Sequence, residues 1–296
     1  MKFMHDMNGN KNSQRLAQTP IIELEHVGFN YHGAKTAGRP TLQEVSFSIT
    51  RGKAIGLIGE SGSGKSTIAK LILGLASPSE GAILFNGQKL MRSQWSVFRR
   101  RVQPIFQNPM DALDPRMNIG DQLMEPLIAN FRLSRAERRE RIADALSSVG
   151  LPKEIARKLP RQISGGQAQR ATIARALILD PDVLICDEAV SALDMTVQAQ
   201  ILNLLNDLRE EKQLGILFIS HDIRAVSHLC SEIVVLHHGR LVESGPKERL
   251  LSHPIADYTK TLLSAVPNSR RYQPVAQANN HVDPRQHWNS ELAAAE

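Results

Sequence analysis

The stretch Gly59-Glu60-Ser61-Gly62-Ser63-Gly64-Lys65-Ser66-Thr67 constrains the fold more than any other part of the chain. It fits the pattern G-x-x-x-x-G-K-[ST], and its flanks supply the setting that pattern needs. Before it, Ala54-Ile55-Gly56-Leu57-Ile58 reads as a buried strand. After it, Ile68, Leu71, Ile72 and Leu75 fall at i, i+3, i+4 and i+7, which predicts a helix with one face on the core. Glycines let the backbone wrap closely, successive N–H groups converge, and the amino end of the helix favours an anion. Such a loop cradles the phosphates of a nucleotide. Lys65 is expected to reach the β and γ phosphates and Ser66 to ligate Mg²⁺. The motif leaves the reaction open, because kinases, GTPases, helicases and transport ATPases share it.

The chain has 296 residues, enough to bury a large core as one large domain or two small ones. No apolar run approaches the ~20 residues that span a bilayer, and the start Met1-Lys2-Phe3-Met4-His5-Asp6 lacks a signal-peptide core. Cys186 and Cys230 are the only cysteines, too few for a disulfide framework or a four-cysteine metal site. A cytoplasmic setting is expected. The net charge of +6 permits an anionic partner. Arg99, Arg100, Arg101, Arg132, Arg135, Arg138, Arg139 and Arg141 cluster without interleaved aromatics, so a solvated helix face is expected rather than a nucleic-acid surface.

Residues 1–20 are polar and without periodicity, and read as a mobile tail. Residues 21–31 and 42–50 have the pattern of peripheral, antiparallel strands, and 82–85 adds another, closed by the turn Asn86-Gly87. From about 108 to 163 the pattern becomes helical. Ser134 and Glu137 form a capping-box pair, and Gly150 with Pro152 ends that helix. The runs 182–186 and 215–219 are continuous and apolar, and the helix between them has Val197, Ile201, Leu204, Leu205 and Leu208 on one face, giving a βαβ unit of a parallel sheet. Residues 233–236 and 240–243 read as a closing hairpin through His238-Gly239. Beyond Pro267 the composition predicts disorder or partner-dependent order.

Other residues fall where a phosphate held at 59–67 needs them. Asp187 and Glu188 follow four apolar residues at a strand's carboxyl end, where ligands of open parallel sheets bind. Asp187 is assigned to the metal, through water, and Glu188 to polarising the attacking water. His221 ends the next strand, within reach of the same site. Gln107, after Pro104-Ile105-Phe106, offers an amide at the edge of the helical block, able to sense metal or water. Ser164-Gly165-Gly166-Gln167 opens another helix with a cap and two glycines, a second anion-binding start that one cradle hardly needs unless it faces the nucleotide of another copy.

Taken in order, these stretches resemble an ABC-transporter ATPase subunit over roughly residues 21–250. Gly59–Thr67 match its Walker A loop, Gln107 the Q-loop, Ser164–Gln167 the signature, Val183–Glu188 Walker B, Ser191–Asp194 the D-loop and His221 the switch histidine. Tyr31 sits where the family places an aromatic that stacks on adenine. Ile163 replaces the usual signature Leu, and Ala168 stands where Arg is common. The resemblance implies an α/β fold: a P-loop NTPase core with a mostly parallel sheet, a peripheral antiparallel β-subdomain and an inserted α-helical subdomain.

The resemblance also implies that ATP and Mg²⁺ are held by Tyr31, Gly59, Ser61, Gly62, Ser63, Gly64, Lys65, Ser66, Thr67, Gln107 and Asp187, and by Ser164, Gly165, Gly166, Gln167 and Asp194 across a head-to-tail dimer. Glu188, His221, Gln107 and Lys65 are the catalytic set. The second ATPase is a paralogous ABC ATPase subunit or a second copy. Hydrolysis drives two transmembrane permease subunits served by an extracytoplasmic solute-binding protein, and places the chain at the cytoplasmic face of the cell membrane.

Within the family, Phe106-Gln107-Asn108-Pro109, Asp111–Pro115 and a 251–296 extension with His253-Pro254 and Tyr258-Thr259-Lys260 are similar to the oligopeptide, dipeptide and nickel importer branch. The usual tail has Tyr directly after His-Pro, whereas Ile255-Ala256-Asp257 intervene here. The cysteine cluster many members carry is not present, so no iron–sulfur cluster is expected. A soluble accessory ATPase of a C–P lyase-like complex is the alternative. DNA-associated relatives carry long coiled-coil insertions, and the short span from Gln107 to Ser164 has none, so no nucleic-acid partner is expected.

Overall fold

The computed structural model describes residues 20–31, 40–90 and 92–265. The mobile tail and the partner-dependent end expected from the sequence lie outside these, save that Pro20 already opens the first strand. In chain order the strands are β1 (Pro20–Phe29), β2 (Leu42–Thr50), β3 (Ala54–Ile58), β4 (Glu80–Phe85), β5 (Gln88–Lys89), β6 (Val102–Ile105), β7 (Val183–Asp187), β8 (Gly215–Ile219), β9 (Glu232–His237) and β10 (Arg240–Pro246). The helices are α1 (Lys65–Ile72), α2 (Trp95–Arg101), α3 (Pro109–Ala112), α4 (Ile119–Asn130), α5 (Arg135–Ser148), α6 (Gly165–Leu177), α7 (Met195–Lys212), α8 (Ile223–Leu229), α9 (Lys247–Ser252) and α10 (Asp257–Ser264).

The six-stranded sheet has the order β10-β9-β3-β8-β7-β6. Its neighbours from β9 to β6 run parallel, and β10 returns antiparallel. Strands β3 and β8 are buried at every residue, as central strands covered on both faces must be. Side chains alternate across the sheet and feed two cores. Ala54, Ile58, Leu184, Cys186, Ile216 and Phe218 join the core shared with α4, α5, α6 and α7. Ile55, Leu57, Val183, Ile185, Leu217 and Ile219 join the core shared with α1, Phe98 and the antiparallel four-stranded sheet β2-β1-β4-β5. Gly56 allows α8 to approach, since a Cβ there would lie 2.3 Å from Val226 Cγ1. Among the described residues no helix is long and apolar enough to cross a membrane.

The helical stretch between β6 and β7 is held by strong local signals. In α5 the Ser134 side chain accepts from Glu137 N–H, and the Glu137 carboxylate accepts from Ser134 N–H. Its end is a Schellman motif: Gly150, at φ 68°, donates to Ser147 O, and Leu151 donates to Leu146 O.

Two sequence expectations need correction. Leu75 does not extend the buried stripe of α1. The helix ends at Ile72, Gly74 turns left-handed at φ 67° with Trp95 packed against it, and Leu75 is left 68% exposed. The arginine cluster is not uniformly solvated either. Arg101 donates from Nε and Nη2 to the buried Asp182 carboxylate at 2.6 and 2.8 Å, and Arg51 pairs with the same carboxylate at 2.9 Å. Arg100 and Arg141 lie over the Phe131 ring.

Candidate nucleotide site

Strands β3, β8 and β7 are adjacent and parallel, so the residues leaving their carboxyl ends emerge at one edge of the sheet. From β3 comes the loop 59–64. Gly59, Gly62 and Gly64 take φ of 152°, 79° and 110°, values open to glycine. A Cβ on Gly59 would come within 2.1 Å of Leu236 O, so the loop has no room for a side chain there. At Gly62 a Cβ would meet nothing within 4 Å, which leaves the mouth of the loop open. The Ser63 hydroxyl is buried with no hydrogen-bond partner among the described residues. An orphaned donor just before the amino end of a helix suits an anion.

Lys65 starts α1 and is only 7% exposed. Its Nζ donates to Gly59 O at 2.7 Å and to Glu60 O at 2.8 Å. Burial lowers its pKa, against the pull of Glu188, Asp187 and Glu60. The ammonium thus sits over the loop with two carbonyls and the carboxylates of β7 as its surroundings. Thr67 is buried, and its hydroxyl lies 3.3 Å from the Tyr31 phenol. Tyr31 is 43% exposed and packs edge-on to Phe29, presenting a ring beside the helix that the loop opens. Ser61 and Ser66 are exposed.

From β7 come Asp187 and Glu188. Burial raises the Asp187 pKa, a hydrogen bond from Ser66 opposes this, and Glu188 adds to the rise. Ser66 and Asp187 together form an oxygen donor pair of the kind a hard divalent cation takes. Glu188 is half-buried and left-handed at φ 50°. Its N–H donates to Ile219 O at 2.9 Å, and its carbonyl accepts from Ser191 N–H and Oγ. From β8 comes His221, with Nδ1 3.3 Å from Glu188 Oε1.

Cradle, Asp187, Glu188 and His221 are therefore brought together. Gln107 is exposed two residues beyond β6, the strand next to β7. Ser164 caps α6 reciprocally with Gln167, leaving Ser164 and Gly165 exposed, and Gly166 packs so closely on α7 that a Cβ would meet Val197 at 2.8 Å. Asp194 caps α7 by accepting from Thr196 and Val197 N–H. Ala168 is fully buried in α6, so no long side chain is called for at that position. Two contacts around the site carry no local signal in the sequence. Gln169, fully buried, donates to Ala189 O at 2.8 Å and so ties α6 to the segment following Glu188. Tyr258 accepts from Glu60 N–H at 3.1 Å across 198 residues.

This arrangement can bind phosphate, hold a cation and orient a water for in-line attack. The family model described as ABC transporter matches residues 42–191. A putative peptide import ATP-binding protein of Brucella abortus is 46% identical over 237 residues, 79% of this chain and 71% of its own. The dipeptide transport ATP-binding protein DppF of Haemophilus influenzae is 44% identical over 237 residues, 79% and 72% of the two chains. Among solved structures, cbiO1 from Clostridium perfringens, part of the ABC transporter complex cbiONQ, superposes with a TM-score of 0.72 at 28% identity, covering 80% of this chain and 92% of its own. MJ0796, a bacterial ABC transporter cassette solved as a dimer, gives 0.68 at 31%, covering 76% and 98%.

Proposed function

The chain belongs to the ABC transporter family, and we propose that it is the ATP-hydrolysing subunit of an importer for peptides, with nickel or a related small solute as the neighbouring cargo class. The supporting observation is the convergence of Lys65, Asp187, Glu188 and His221 at the ends of three adjacent parallel strands. The names of the relatives, peptide import and dipeptide transport ATP-binding proteins, support the cargo class.

In this reading the N–H groups of the loop other than that of Glu60, which Tyr258 engages, and the Lys65 ammonium receive the β and γ phosphates, with Ser61, Gly62, Ser63 and Thr67 completing the cradle, and Tyr31 stacks on the base. Ser66 and Asp187 hold Mg²⁺, with Gln107 reporting on the metal or the water. When bound, the metal neutralises charge on the phosphates. Glu188 orients and deprotonates the attacking water. His221, beside Glu188, steadies its carboxylate and the departing phosphate. Ser164, Gly165, Gly166, Gln167 and Asp194 serve the partner's nucleotide in a head-to-tail dimer with a paralogous subunit or a second copy. The unit organisation proposed is an ATPase domain over 21–250, with a helical subdomain at about 108–163, and an extension from 251. The assembly includes two permeases at the cytoplasmic membrane face and, through them, an extracytoplasmic solute-binding protein.

Affinity purification from gently solubilised membranes, followed by mass spectrometry, tests this. Two permeases and a related ATPase should accompany the chain. Soluble enzyme subunits with no integral membrane partner would overturn the importer reading in favour of an accessory ATPase.

A further inference from the structure

The peptide group joining Gly59 to Glu60 is held at both ends. Its carbonyl accepts from Lys65 Nζ at 2.7 Å, and its N–H donates to the Tyr258 phenol at 3.1 Å. A peptide group is planar, so fixing the direction of the N–H fixes the direction of the carbonyl. On one side of it stands Gly59, whose backbone has the wide freedom of a residue without Cβ. Beside the Lys65 bond to its carbonyl, the plane receives a restraint from outside the loop, and Tyr258 supplies it.

The phenol is itself well placed to do so. Its ring stacks on His237 at 3.7 Å between centroids with 7° between the planes. His237 closes β9, the strand beside β3, and the turn that follows donates from Gly239 N–H to Ser63 O at 2.9 Å. The α10 helix that carries Tyr258 is pinned by Glu243. That carboxylate, 6% exposed, accepts from Ile255 N–H at 3.1 Å, Ala256 N–H at 3.0 Å and Arg249 at 3.1 Å. Strand β10, the segment 255–256, the stacked ring and the loop thus form one continuous support.

We propose that Tyr258 is a positioning residue for Lys65: acting through the Gly59–Glu60 peptide, it sets the carbonyl that holds the ammonium, and so lets the C-terminal extension tune nucleotide affinity. The proposal rests on the reading of this loop as the nucleotide site. It assigns the extension a role at the phosphate end of the molecule rather than at its periphery.

The test uses the full chain as wild type, Tyr258→Phe, Lys65→Ala and the double variant, titrated with a fluorescent ATP analogue and assayed for ATP turnover and thermal midpoint. Tyr258→Phe keeps the ring stack and removes one hydrogen bond. Its Kd for the analogue should rise roughly three- to tenfold, and the KM for ATP should rise by a similar factor while kcat stays within about twofold. The thermal midpoint should stay near that of the wild type. In the Lys65→Ala background the same change should have no further effect, because the two residues act through one peptide. Unchanged affinity in Tyr258→Phe, or an equal fold-loss in both backgrounds, would overturn the proposal. A wild-type chain that bound no nucleotide would instead remove the reading on which it rests, so the two failures are distinguishable.

Discussion

Glu188 occupies a left-handed conformation at the end of β7, φ 50°, which costs a residue bearing a Cβ ~1 kcal/mol. Three backbone hydrogen bonds or hydroxyl contacts hold it there, one to β8 and two to Ser191. The twist turns its carboxylate toward His221 and the Lys65 surroundings, while Asp187, one residue earlier, bonds Ser66. Two adjacent acids thereby face different partners. Glu188→Gln keeps shape and volume but cannot take a proton. Turnover should fall by at least ~100-fold, while ATP binding, proposed to run through the loop and Lys65, should stay intact. Parallel turnover and titration measurements check this. Near-wild-type hydrolysis would pass the role of base to another group.

At the scale of elements, the coupling between β10 and α10 is electrostatic as well as geometric. Burial would raise the Glu243 pKa, but the N–H groups of Ile255 and Ala256 and the Arg249 guanidinium outweigh it and hold the carboxyl below its ordinary range. A depressed folded-state pKa means that the stabilisation is present above the ordinary glutamate range and is lost as pH falls through the folded value. Acid should therefore release the start of α10. Hydrogen-exchange protection at the Ile255 and Ala256 amides should decline in the wild type on acidification below that range. In Glu243→Gln it should be lower at neutral pH and lack that acid step. An identical acid step in both proteins would assign it to other carboxylates. Gly74 sets another element boundary. A Cβ there would lie 1.9 Å from Trp95 Cζ3, on a backbone already at φ 67°, so Gly74→Ala should destabilise the fold by ~1–3 kcal/mol in denaturant titration.

Across the whole molecule, what sequence reading recovers is what local rules determine. Ala54–Ile58 and Gly215–Ile219 are apolar at nearly every position because both faces of the sheet are covered, and that continuity is visible residue by residue. Asp187, Glu188 and His221 are legible because each directly follows or closely trails such a run. Leu75 misled because the helical period continues on paper past Gly74, whereas the backbone does not. Arg101 misled because its partner Asp182 lies 81 positions away, and the Tyr258 contact spans 198, distances over which no periodicity carries information.

The start of α6 is exposed at Ser164 and Gly165. The chain has one cradle but a second helix start, at Ser164 and Gly165, with a reciprocal cap and solvent before it. The related MJ0796 cassette was solved as a dimer. If the second start closes over the nucleotide of another subunit, Glu188→Gln with saturating ATP should accumulate as a dimer in size-exclusion chromatography with light scattering. This should hold either for the chain alone or for its mixture with any ATPase subunit recovered with it. Adding Ser164→Arg should abolish that dimer. The lost cap costs ~1 kcal/mol, small enough to leave the fold and the ATP affinity of the chain's own cradle unchanged. A dimer that persisted in Ser164→Arg would mean that α6 faces something other than the second nucleotide.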